Sequence, residues 1–156
     1  MPVERTQVKN ELFDCEARND TKKILELLKD QEILDDRDEY GRTILMYASL
    51  KGWPDVVREI IQRGEILDTQ DKNGYSALHF AAQAYKPQEA RLLLEAGAAV
   101  DLQDKYGKTP LSIAVLRYKV GNDVISLLIK FGADKNKKNK AGISSVDLAG
   151  QIGCKI

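Results

Sequence analysis

The sequence predicts an all-α fold built as a linear array of similar helix-turn-helix units joined by short turns. Three observations carry that expectation. Glycine recurs at Gly41, Gly74, Gly107 and Gly142, at intervals of 33, 33 and 35 residues, a period in the range of stacked repeat units. Each glycine stands inside one recurring phrase: DEYGRTILMYA, DKNGYSALHFAA, DKYGKTPLSIAV and NKAGISSVDLA. Apolar residues at helical spacing follow the first three phrases, as in Val56, Val57, Ile60 and Ile61.

The units can be justified in order. Residues 1–37 lack the glycine turn, and short helices are expected near Leu12 to Arg18 and Thr21 to Leu28, forming a polar N-terminal cap. Residues 38–70 form the first full unit. Gly41 follows the polar residues Asp38, Glu39 and Tyr40, a turn in which glycine adopts a positive φ cheaply. Thr43 is placed to cap the first helix, and Pro54 suits the first turn of the second, where its missing N–H costs little. Residues 71–103 repeat this with Gly74, Ser76, Leu78, Ala81, Pro87, Leu93 and Gly97. Residues 104–138 repeat it again, with two extra residues expected within Tyr118 to Asn122. Residues 139–156 supply one helix, ending near Gly150 to Gly153, and no second.

The phrases resemble the ankyrin repeat, whose usual form is D-x-x-G-x-T-P-L-H-x-A-A followed by a second helix ending L-L-x-x-G-A-D. The resemblance spans roughly residues 12 to 153 and implies an ankyrin-repeat solenoid: stacked helix-turn-helix units with β-turn or hairpin connections, in one repeat domain over residues 1–156. It implies a protein-binding role. It also implies that His79, at the histidine of the family phrase, is a structural hydrogen-bonding residue between adjacent turns, and that Glu89, where the family usually has an apolar residue, gives a looser helix or pairs with a base.

Composition narrows the function further. Acidic and basic residues number 24 each, so net charge offers no general attraction to nucleic acid or an anionic membrane. The opening MPVERTQVKNE has no apolar run for a signal peptide, and no later stretch has membrane-spanning length. A cytoplasmic protein, monomeric when free, is expected. Cys15 and Cys154 lie near opposite ends without C-x-x-C spacing, which indicates neither a disulfide framework nor a metal knuckle. A single histidine and two distant cysteines supply no zinc site and no Cys-His pair. The glycines recur at repeat spacing, unlike a phosphate-binding loop. No catalytic residue, metal or cofactor is therefore expected.

Partner contacts are expected where the resemblance places them, on the concave face made by the turn tips and the ends of the first helices. The candidates at the tips are Glu39, Tyr40, Arg42, Lys72, Tyr75, Lys105, Tyr106 and Lys108. Leu50, Lys51, Trp53, Arg117 and Tyr118 are the candidates at the helix ends. Tyrosines in successive turns suit an interface, because large amphipathic rings lose little entropy on binding; they equally suit packing across adjacent turns, and Trp53 suits a cover over an inter-helix gap. Equivalent windows of the turn ladder run from acidic to basic, with net charges of −3 in residues 35–40, −1 in 68–73, −1 in 101–106 and +3 in 136–141. That gradient would orient a partner of opposite polarity, although polar terminal units also serve solubility.

Function is therefore expected in one of three classes. The first is a non-catalytic module holding one folded protein, such as a toxin or other enzyme, as an inhibitor. Its motivation includes the resemblance of LFDCEARND and ILMYA to small free-standing bacterial ankyrin proteins, some of which are immunity proteins. The second is an adaptor joining two partners. The third, nucleic-acid binding through Lys130, Lys135, Lys137, Lys138 and Lys140, is disfavoured because the cluster lacks interleaved aromatics.

Overall fold

The computed structural model describes residues 2–29, 34–64, 66–118 and 123–156, with side chains from residue 6 onward. Among these, nine helices follow in order: α1 (Pro2–Ala17), α2 (Thr21–Leu27), α3 (Ile44–Lys51), α4 (Pro54–Gln62), α5 (Ala77–Gln83), α6 (Pro87–Glu95), α7 (Pro110–Leu116), α8 (Asp123–Lys130) and α9 (Ser145–Ile152). The odd-numbered helices pack side by side in chain order, and α2, α4, α6 and α8 form a second layer behind them. From α1·α2 to α7·α8 each helix pair also packs internally, so the core runs along the array between the two layers.

Residue choice explains the two layers. Small side chains such as Ala48, Ala81, Ala82, Ala114 and Ala149 are buried in the odd helices, where neighbours approach closely. Leu12, Ile24, Ile44, Met46, Ile60, Leu78, Leu93, Leu111 and Leu128 are fully buried along the seam, each worth roughly 1.5–3 kcal/mol of transfer free energy. The caps follow the expected chemistry. Thr43 Oγ1 accepts from the Met46 amide at 3.4 Å and Thr109 Oγ1 from the Ser112 amide at 3.3 Å. Pro54, Pro87 and Pro110 open α4, α6 and α7.

Two local expectations are revised. Helix α1 begins at Pro2, ten residues before Leu12. The added segment has helix-forming residues and no internal Gly or Pro, yet no apolar stripe by which periodicity would find it. Glu89 does not loosen its helix. Its side chain is buried in the first turn of α6, where a carboxylate complements the helix dipole. Of the stretch from Tyr118 to Asn122, where the two extra residues are expected, residues 119–122 lie outside the described residues.

The turns are built alike. Asp38, Asp71, Asp104 and Asn139 each open a loop closed by backbone bonds from their own N–H to the carbonyls of Arg42, Tyr75, Lys108 and Ile143. One side-chain oxygen of each accepts two amides within the turn, at 2.8 to 3.1 Å. Successive turns are then tied tip to tip: the Lys72, Lys105 and Lys140 amides donate to the carbonyls of Tyr40, Asn73 and Tyr106 at 3.0, 3.0 and 2.9 Å. Gln70 and Gln103 reinforce the ladder, each donating to a glycine carbonyl in the turn it precedes and to a carbonyl just before the turn after that.

Candidate functional site

The turn ladder and the odd helices line one face. A cleft of about 380 Å³ there is bounded by Arg42, Asp71, Asn73, Tyr75, Lys105 and Tyr106 from the turns and by Leu50, Phe80 and Gln83 from α3 and α5. A second, of about 440 Å³, lies on the other side of Tyr106, against Lys108, Asn139, Lys140 and Ala141. Tyr106 thus stands as a wall between two open spaces.

The tyrosines expected at the tips divide by register. Tyr40 and Tyr106 precede the turn glycine and are 53% and 56% exposed. Tyr75 follows the glycine, as Arg42 and Lys108 do, and is half-buried. Its ring stacks on His79 with centroids 5.2 Å apart and meets Phe80 edge-on at 5.4 Å. Tyr75 is therefore packed within its own unit, whereas the rings of Tyr40 and Tyr106 are exposed.

Arg42 is held in place. Its guanidinium lies 5.2 to 5.8 Å from the ring centroids of Tyr40, Tyr47 and Phe80, and its Nε is 3.6 Å from Asp71 Oδ2. Tyr47 completes this cluster by donating its hydroxyl to Asp38 Oδ2 at 2.7 Å. Burial and the adjacent carboxylate push its phenol up to about 12.

Lys51 and Trp53 tie α3 to α1. The Lys51 ammonium lies 2.6 Å from Glu16 Oε1, donates to the Glu16 carbonyl at 2.9 Å, and sits over the Trp53 ring. Trp53 is partly buried, and Leu50 is partly exposed in the first cleft. Glu39, Lys72, Arg117 and Tyr118 are exposed.

Sequence reading passed over Phe80 and Asn139, and placed Lys140 only in the charge window 136–141 and in a lysine cluster. Aligning the four turns provides the missing signal, because Glu39, Lys72, Lys105 and Lys140 then occupy one register and Tyr40, Asn73, Tyr106 and Ala141 the next.

His79 is fully buried and faces no cleft. Its Nδ1 accepts from the Ser76 amide at 3.1 Å, and the Ser76 hydroxyl lies 2.9 Å away. An amide can only donate, so this network assigns the proton to Nε2, which donates to the Lys108 carbonyl at 3.1 Å. Burial holds its pKa below the ordinary value of 6.5. The side chain is a neutral tie between units.

Among the described residues, no group of three His, Cys, Asp or Glu side chains converges as metal ligands, and no helix is long and apolar enough to cross a membrane. No curated protein matches the sequence significantly. The family model for ankyrin repeats (3 copies) matches residues 50–139, more than half of the chain. Together with the paired helices and the tip-to-tip ladder, that match places this chain in the ankyrin repeat family.

Proposed function

We propose that the chain is a non-catalytic module that holds a folded partner protein on the face made by its turns and first helices. The observation that carries this reading is Tyr106, a large exposed ring standing between two clefts on a hydrogen-bonded ladder. Aromatic side chains of this kind anchor interfaces, and a surface already ordered by its own backbone bonds loses little freedom on binding. Such preorganisation suits tight one-to-one inhibition, as by an immunity protein covering the working face of a toxin.

The test is affinity capture from the native source with the wild-type chain and with the Tyr75→Ala, Tyr106→Ala double variant. The expected result is a partner retained by the first and lost by the second, whose activity falls when the complex forms. A partner retained equally by both would overturn the reading, and a bound partner at full activity would remove the inhibitor role. An adaptor role is favoured by one feature, a further cleft of about 510 Å³ on α1 and α2 lined by Asn10, Glu11, Asp14 and Lys23. It predicts two captured proteins, one of which survives the double substitution.

A further inference from the structure

Charge is partitioned along this chain far more strongly than its neutral total implies. Residues 72–156 contain thirteen Lys and Arg against seven Asp and Glu, a net +6, so residues 1–71 carry −6. Four of the seven acids of the basic half accept backbone amides, while Glu95 and Asp123 are exposed on α6 and α8, the outer layer. Asp104 Oδ1 accepts the Tyr106 and Lys108 amides, Asp101 accepts the Asp134 amide, Asp134 accepts the Asn136 amide, and Asp147 caps Ser144. Glu89 is buried. Every ion pair among the described residues lies at or before Asp71. Among the described residues, the lysines beyond it are therefore left without carboxylate partners.

Three of these lysines gather around one ring. The ammonium groups of Lys105 and Lys108 lie 5.1 and 5.6 Å from the Tyr106 ring centroid, and Lys140 lines the 440 Å³ cleft with Tyr106 and Lys108. Like charges gathered at one place repel, and a carboxylate arriving from outside gains attraction from each.

We infer that the strip around Tyr106 takes an acidic segment of the partner protein, its carboxylates meeting Lys108 and Lys140 while an apolar side chain packs on the Tyr106 ring. This rests on the turn face being the partner site, and it sets the partner's polarity: acidic over the last two turns, basic towards Glu39 at the first. A nucleic acid fits less well. The strip offers one exposed ring for stacking, and a continuous polyanion running along the ladder meets the exposed Glu39 at the first turn.

Fluorescence anisotropy tests this, using a fluorescein-labelled decapeptide of eight glutamates around a central Leu-Leu pair, with labelled decathymidylate alongside. The Lys108→Glu, Lys140→Glu variant, which keeps the Lys108 carbonyl, should weaken peptide binding at least tenfold. The Arg91→Glu, Lys130→Glu variant makes the same charge change on the outer helices α6 and α8 and should weaken it less than threefold, with circular dichroism confirming the fold of both. Absence of peptide binding, equal losses in the two variants, or tighter binding of decathymidylate would overturn the inference. The captured partner separates this failure from that of the functional reading. Binding lost with Tyr106→Ala but untouched by Lys108→Glu, Lys140→Glu keeps the turn face as the site and discards the acidic segment.

Discussion

His79 Nε2 donates to the carbonyl of Lys108, 29 residues ahead, while His79 Nδ1 accepts from Ser76 in its own unit. One neutral imidazole therefore satisfies polar backbone in two consecutive turns. His79→Ala would strip both partners and leave a cavity, at a cost of about 2–4 kcal/mol, read from urea denaturation.

The same residue sets a pH dependence. Its folded pKa lies below the ordinary 6.5, so the unfolded chain takes up this proton first as pH falls. Its contribution is whole above about pH 6.5 and is lost progressively below it. The urea midpoint of the wild type should decline between pH 7.5 and 5.5 more steeply than that of His79→Gln, which does not titrate. Parallel slopes would contradict the neutral assignment.

The turn glycines are not equivalent. A Cβ on Gly74, at φ +81°, would lie 2.7 Å from the Lys105 amide nitrogen and 2.9 Å from Asp104 Cα, whereas one on Gly142, at φ +77°, meets nothing within 4 Å. Gly142→Ala should cost only the left-handed backbone penalty, about 1–2 kcal/mol. Gly74→Ala should cost at least twice that, since the overlap is with backbone of the next turn. Thermal melts of the two variants decide it.

The conserved geometry of the turns hides a difference in charge. Asp71 Oδ2 faces the Arg42 guanidinium, but Asp104 Oδ2 is buried without a hydrogen-bond partner, and Asn139 holds the equivalent turn through its amide oxygen. Asp104→Asn should accordingly change stability by less than about 0.5 kcal/mol or raise it. Asp71→Asn should cost about 1–2 kcal/mol by leaving Arg42 without its counter-charge.

Lys51 binds α1 to α3 through Glu16, whose side chain is 12% exposed. Lys51→Ala should destabilise the first helix by about 1–3 kcal/mol, and the loss should stay local because units contact only their neighbours. Amide exchange in Glu11 to Ala17 should quicken while that of α7 is unchanged.

Sequence alone determined the period, the turn residues and the cap at Thr43, because each depends on local backbone needs that recur at a fixed interval, and the resemblance to the ankyrin repeat supplied the structural role of His79. It missed the first half of α1, where a charged helix carries no apolar rhythm. Only the tertiary structure separated Tyr106, exposed between two clefts, from Tyr75, packed on His79 and Phe80, since that choice depends on which side of the turn glycine a ring falls and what the next unit brings against it. The same holds for charge. Composition counts acids and bases equally, whereas the fold commits Asp101, Asp104, Asp134 and Asp147 to backbone amides and leaves Lys108 and Lys140 to be met from outside.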